Sequence, residues 1–411
     1  MQTEIEFIIN EIKHAGFDAR IVGGYVRDFV LGNPSSDIDI ATTATPDNIL
    51  RIFNNLDCKV IPTGIKHGTI TVVKNSIPFE MTTLRTDDTT DGRHAEVSFS
   101  DSWEKDASRR DFTFNALYMD LDGKIYDFFD GIKDLKDGII RFIGNPEKRI
   151  CEDFLRILRF FRFSVKLNIK PDSDEIFTLF KKYAPHLSQL SRERIRHEFH
   201  SMLRYNNSFG TLLLMDNCDV LNYVAKINIE QFKKLSQIYA SHPGIINTFF
   251  NSLENFISKI FLLFKPETLC KDLCLTKIEK KDLKFLESQV EFQNVSDKEN
   301  LLRNVLFHEN KLIFEKLSIL IFQRFFLDNF NQNNISEYTN LARYLNLLKS
   351  KYSKNQRPLF PVTSSDIIEL PIKQNNISKA LLLTKKFWSE NFGNPSKSEC
   401  LEFLTRNLSK I

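Results

Sequence analysis

The sequence predicts a mixed α/β head followed by an all-α remainder. Over residues 1–145, strand-like and helix-like segments alternate. From about residue 146 onward, apolar residues recur at spacings of three and four, in windows 150–164, 192–204, 250–264, 276–290, 311–328 and 336–350. Glycine nearly disappears at the same point. At 411 residues the chain is too long for one ordinary core, and its 42% apolar content is ample for several. The pattern divides it into an α/β head (1–145), a long helical body from 146 and a small helical tail (351–411). The polar stretch Lys351–Pro361, with two prolines, reads as the linker to the tail.

Within the head, residues 4–15 read as a helix, Arg20-Ile21-Val22 as a strand, Val26–Leu31 as a short helix and Ile38-Asp39-Ile40 as a second strand. Thr69–Val73 and Ile77–Thr83 are rich in β-formers and flank Lys74-Asn75-Ser76, a hairpin signal. Asp120-Leu121-Asp122-Gly123-Lys124 is a turn between the strands Ala116–Met119 and Ile125–Phe128.

Composition excludes several classes. Basic and acidic residues number 56 and 53, so any nucleic-acid surface must be a local patch. The six cysteines form no Cys-x-x-Cys pair, and Cys270 with Cys274 lacks the partners of a zinc site, so we read reduced thiols. His197 and His200 are three apart with no third ligand in view. No apolar run approaches the about 20 residues of a membrane span. Glu4, Glu6 and Glu11 argue against a signal or transit peptide. We therefore expect a cytoplasmic protein, bacterial in type, with no membrane and no obligate protein partner.

The richest stretch is Gly23-Gly24-Tyr25-Val26-Arg27-Asp28, followed by Asp37-Ile38-Asp39. Glycines let backbone approach phosphate oxygens, and a helix N-terminus favours anions. Residues i and i+2 of a strand share a face, which would set Asp37 and Asp39 side by side to share divalent cations. Alone, an Asp-x-Asp is more often a solvated turn; the glycine pair and the arginine favour two-metal phosphoryl chemistry instead. Glu80, inside Ile77–Thr83, is the candidate third carboxylate, unless it is simply an exposed strand residue. In Asp106–Leu117, Arg109 and Arg110 suit phosphate or ribose contact through bidentate guanidinium geometry, or else form a surface ion-pair cluster.

Glu152–Phe163 reads as one helix. At about 100° per residue, Asp153, Arg156, Arg159 and Arg162 fan over one half, and Phe154, Leu155, Leu158 and Phe161 over the other. The apolar half is core. The polar half is either a solvated face with i,i+3 ion pairs or a nucleotide-reading surface. Cytosine and adenine each present an amine donor beside a ring-nitrogen acceptor. A carboxylate accepts from the amine and a guanidinium donates to the ring nitrogen. Uracil and guanine have the opposite polarity, and mispaired buried polar groups are strongly disfavoured. Asp153 with Arg156 would thus accept C and A.

Five blocks, Val22–Asp39, Asp106–Leu117, Asp130–Leu135 running to Ile143-Gly144, Glu152–Phe163 and Arg192–Phe199, stand in the order found in class II tRNA nucleotidyltransferases, the CCA-adding family. The chain resembles that family over roughly its first half. The resemblance implies a polymerase-β-like head (1–145) with a helical neck (146–210), body (211–350) and tail (351–411), and stepwise addition of C, C and A to the tRNA 3′ end from CTP and ATP. It implies Mg²⁺ on Asp37 and Asp39, nucleotide held by Gly23, Gly24, Arg27 and Arg110, base reading by Asp153 and Arg156, and support from Arg159 and Arg162. The partner is the tRNA acceptor stem and elbow, with basic residues in Arg192–Arg204 available to its backbone. The rival is bacterial poly(A) polymerase, which shares the head motifs. Thr63–Thr69 resembles the CCA-adding form, as does the loop from Thr82–Arg85 through Asp91–Glu96, which in the family is tied to the switch from C to A. The same motifs would also suit an enzyme that adds only A, or a tRNA-binding protein without catalysis. The tail lacks glycines the family shows near Phe360–Asp366 and Pro371–Leu383.

Overall fold

Short strands rich in Val, Ile and Thr assemble the head. In the computed structural model they are β1 (Ala19–Val22), β2 (Asp39–Thr42), β3 (Lys59–Gly64), β4 (Thr69–Lys74), β5 (Ile77–Thr83), β6 (Arg85–Thr90), β7 (Ala95–Phe99), β8 (Leu117–Met119) and β9 (Ile125–Asp127). The structure describes residues 2–33, 35, 37–90, 95–171, 173–291, 295, 297–328, 334–352 and 358–411. The sheet order is β3-β4-β5-β2-β1-β8-β9, with β6 and β7 forming a separate ribbon. Only β2 and β5 run parallel among the described strands, so the sheet is mixed, and the head is α/β as the sequence predicts. The β4–β5 hairpin turns through Asn75 (φ 51°) and Ser76 (φ 65°), the left-handed pair that matches strand twist in a two-residue turn. The expected strand around Asp39 starts later than read, at Asp39 itself. Val22 pairs with Asp39 and the chain then turns at Gly23 (φ 71°), so β1 offers Asp37 no partner.

Nine helices surround and follow the sheet in the first half of the described chain: α1 (Gln2–His14), α2 (Gly24–Val30), α3 (Pro46–Phe53), α4 (Trp103–Ser108), α5 (Gly131–Asp137), α6 (Pro146–Glu152), α7 (Leu155–Lys166), α8 (Asp174–Tyr183) and α9 (Arg192–Leu203). The single helix expected over Glu152–Phe163 is two helices. Asp153 adopts an extended backbone (φ −155°, ψ 105°), and its Oδ1 accepts the Leu155 N–H at 3.1 Å. A short carboxylate that bonds a nearby backbone N–H competes with helix continuation, which is why the break falls there.

Phenylalanines tie the sheet region to α7. Phe112 packs on Phe142 (4.9 Å between centroids), Phe114 meets Phe163 edge-on (5.4 Å) and Phe160 meets Phe180 (4.9 Å). At the other side of β1, the Arg20 guanidinium lies between the rings of Trp103 (4.1 Å) and Tyr126 (3.8 Å).

The chain separates into two compact units, residues 1–205 with 210–224, and residues 206–209 with 225–411. The first holds the sheet and α1–α9. The second is helical. Its expected 250–264 helix is also two, Pro243–Ser252 and Phe256–Leu263, because Asn255 caps the second by accepting the Ile257 N–H at 2.8 Å. Trp388 is buried there among Leu306, Val362, Ile367, Ala380, Cys400 and Leu404. Residues 353–357 of the expected linker lie outside the described residues, as does the Asp91–His94 part of the expected switching loop.

Gly131 opens α5 directly against the 113–114 backbone: an added Cβ would land on the Thr113 carbonyl and 2.9 Å from the Phe114 nitrogen. Gly131→Ala is therefore expected to lower unfolding free energy by about 1–3 kcal/mol, read as a lower urea midpoint with unchanged slope.

Candidate active site

The turn at Gly23, the edge of β2 and one face of α7 enclose a cavity of 560 Å³. Gly23 makes the turn possible with φ 71°, and its N–H bonds the Leu117 carbonyl at 3.0 Å. Gly24 then starts α2 at the cavity wall.

Of the residues singled out from the sequence, Gly23, Gly24, Arg27, Asp37, Asp39, Arg110, Asp153, Arg156, Arg159 and Arg162 all line this cavity. Glu80 does not. It sits on β5 directly beside Asp39 in the parallel ladder, with its side chain exposed. Asp37 precedes the strand, so strand alternation is not what brings it to Asp39; the shared cavity wall is.

Each cation has a carboxylate behind it. Arg27 is 3% exposed and binds Asp28 Oδ1 at 2.8 Å and Asn115 Oδ1 at 2.7 Å. Arg110 donates to Asp106 Oδ2 at 3.1 Å and to the Tyr118 hydroxyl at 3.2 Å. Arg159 donates to Asp111 Oδ2 at 2.6 Å, and Arg162 lies 2.7 Å from Glu198. Burial by itself would raise the Asp106 and Asp111 carboxyls. Arg110 and Arg109 beside Asp106, and Arg159 with Asn115 beside Asp111, hold both down at about 2.

The i,i+3 ion pair of the alternative reading, Asp153 with Arg156, is not formed among the described residues. Asp153 Oδ2 pairs with Arg194 Nη2 at 2.8 Å, while Arg156 bonds Glu152 Oε2 at 2.8 Å and the Arg149 carbonyl at 2.6 Å. Once the helix breaks at Asp153, the two side chains no longer stand on one helical face. Arg194 therefore joins the site, as do Asp28 and Lys166, whose side chains meet at 3.0 Å. Signals for all three exist in the sequence. Arg194 lies inside the Arg192–Phe199 block, Asp28 directly follows Arg27, and Lys166 continues the Arg156, Arg159, Arg162 spacing by one turn. Arg192 donates to the Tyr223 carbonyl at 3.0 Å, so it and Arg194 make internal contacts.

Asp37 and Asp39 differ from the other carboxylates of the cavity. Asp28, Asp111 and Asp153 each hold a cation, whereas among the described residues Asp37 and Asp39 form no ion pair. Burial, then Glu80 and Asp37, push the Asp39 carboxyl up to about 6, with Arg110 opposing. No group of three or more His, Cys, Asp or Glu side chains is gathered as a complete metal cage among the described residues. Two open, mutually repelling carboxylates do fit a hard divalent cation that completes its shell with phosphate oxygens and water.

Residues 19–141 match the sequence profile described as poly A polymerase head domain, and residues 173–227 the one described as probable RNA and SrmB-binding site of polymerase A. The mitochondrial CCA tRNA nucleotidyltransferase 1 of Homo sapiens is 32% identical over 401 residues, covering 95% of this chain and 87% of the human protein. The CCA-adding enzyme of Ligilactobacillus salivarius is 46% identical over 202 residues, 49% of each chain. The Bacillus stearothermophilus CCA-adding enzyme in complex with CTP superposes with a TM-score of 0.68 at 27% identity, covering 99% of this chain and 98% of that one. The Thermotoga maritima CCA-adding enzyme complexed with tRNA shares the fold, with a TM-score of 0.66 at 20% identity over 99% and 95% of the two chains.

The raised Asp39 carboxyl has a consequence for stability. Its value in the folded chain, about 6, lies above the ordinary 3.8. The native state thus has its full benefit below the lower value and loses it as pH rises through the upper one. In metal-free protein, Asp39→Asn should raise unfolding free energy at neutral pH by about 1–2 kcal/mol, discounted for solvent in the open cavity. The gain should fade below pH ~4. Thermal melts across pH in the presence of a chelator check this.

Proposed function

Because this chain belongs to the CCA tRNA nucleotidyltransferase family, we propose that it adds C, C and A in turn to the 3′ end of tRNA from CTP and ATP. It does so without a nucleic-acid template and releases pyrophosphate. The observation that carries this is a single cavity lined by the open carboxylate pair Asp37 and Asp39, by Asp153 and Arg156, and by the glycine turn and further arginines. One site of that kind serves all three additions.

In this reading Gly23 and Gly24 let the triphosphate approach the backbone, and Arg27 and Arg110, fixed by Asp28 and Asp106, orient it. Arg159 and Arg162 support the nucleotide. Asp153 accepts the exocyclic amine of C or A, and Arg156 donates to the adjacent ring nitrogen. Asp37 and Asp39 hold Mg²⁺, and Glu80 adds negative potential beside Asp39. When bound, the metal neutralises triphosphate charge and lowers the pKa of the attacking tRNA hydroxyl. The tRNA 3′-hydroxyl would attack the α-phosphate in line, losing its proton to solvent, as the bond from the α-phosphate to pyrophosphate breaks.

The head, neck, body and tail bounds 1–145, 146–210, 211–350 and 351–411 belong to the same proposal, with the helical parts holding the acceptor stem and elbow of tRNA. So does a cytoplasmic setting, supported by six cysteines in thiol form. Among the described residues no helix is long and apolar enough to cross a membrane.

With Mg²⁺, tRNA transcripts ending before CCA, after C and after CC should each grow to CCA and stop, with UTP and GTP unused. Growth past the first A on ATP alone would identify a poly(A) polymerase instead. Extension of only the CC-ended tRNA would identify an A-adding enzyme. Asp39→Ala should slow incorporation by about three orders of magnitude or more, the scale of several kcal/mol of lost charge stabilisation. A near-normal rate would remove the metal assignment.

A further inference from the structure

Rejection of U and G by the Asp153–Arg156 pair depends on more than polarity. A carboxylate accepts hydrogen bonds over a wide range of directions. The N3–H of uracil or the N1–H of guanine would satisfy Asp153 as well as the amines of C and A do, if the carboxylate could turn toward the ring nitrogen. Discrimination therefore requires that the carboxylate plane be fixed opposite the amine.

Asp153 stands at the break between α6 and α7, where helical geometry does not fix its side chain. Two contacts do. Oδ1 accepts the Leu155 N–H at 3.1 Å, and Oδ2 faces Arg194 Nη2 at 2.8 Å. The first alone leaves rotation about one hydrogen bond; the second removes it. Arg156 is meanwhile held by Glu152, and among the described residues its side chain is not paired with that of Asp153. Arg194 is itself anchored by its helix. Glu198, one turn further along α9 and 4% exposed, lies 2.7 Å from Arg162 and 3.6 Å from Arg159. α9 thus grips α7 at the arginines and at the Asp153 break.

We infer that Arg194 is a positioning residue for base selection, locking the Asp153 carboxylate in the orientation that accepts C and A and excludes U and G. This rests on the base-reading role proposed for Asp153. The test compares full-length wild type, Arg194→Met, Arg194→Lys and Asp153→Ala on a tRNA ending before CCA, measuring kcat/KM for CTP and for UTP. Arg194→Met should lower the CTP/UTP ratio by about tenfold or more, the scale of one mispaired polar contact. Arg194→Lys, which keeps the charge without the planar fork, should fall between. A uniform loss of activity with the ratio intact in both Arg194 variants, while Asp153→Ala loses the ratio, would overturn the inference and leave base reading standing. An intact ratio in Asp153→Ala would overturn the base reading and this inference with it. If Arg194→Met does not fold, the ratio of Arg194→Lys decides.

Discussion

Positive charge concentrated in one cavity must be held apart and held still, and much of the first unit is arranged to do this. Arg27, Arg110, Arg156, Arg159, Arg162, Lys166 and Arg194 converge on the space a triphosphate would fill. Each is tied to a carboxylate: Asp28, Asp106, Glu152, Asp111, Glu198, Asp28 again and Asp153. Paired this way, the guanidiniums are preorganised and need little rearrangement to meet phosphate. Burial works against the arrangement, pushing Arg162 and Lys166 below their usual values. Such pairs are poor sources of net stability, but losing one partner leaves an uncompensated charge behind. The arrangement secures geometry at some cost in folding free energy.

Asp37 and Asp39 stand outside this pairing. The position of Asp39 follows from strand register: β1 ends opposite it, Gly23 turns the chain away, and β5 brings Glu80 alongside. The phenylalanine contacts among Phe112, Phe114, Phe142, Phe160 and Phe163 then fix α7 against the same part of the head. Apolar packing thereby sets the distance between the phosphate end and the base end of the cavity, and the charged pairs tune directions within it.

Much of this was legible in the sequence because it is local. The Asn75-Ser76 turn, the apolar stripe of α7 and the glycine–arginine run each announce themselves within a dozen residues. The break at Asp153 was not legible. Its apolar neighbours keep helical spacing on both sides, and only the carboxylate's contacts with Leu155 and Arg194 reveal that the backbone leaves the helix. Arg194 was missed for a related reason. It reaches Asp153 across 41 residues of chain, and until that partner is seen a helix rich in basic residues reads as a surface for the tRNA backbone. Glu80 was reached from its strand pattern, yet its place beside Asp39 depends on a parallel pairing that no local pattern encodes.

The two tryptophans have a use beyond packing. The chain contains only two, and they fall one to each compact unit. Trp103 has the Arg20 guanidinium over one ring face and Tyr118 at its edge, 5.2 Å between centroids. Trp388 is sealed at 1% exposure in an apolar cluster. A cation-contacted indole and a dry one differ in emission, so intrinsic fluorescence can follow the melting of the sheet-bearing half and of the helical half separately, with no label added. The protein carries its own two-colour thermometer.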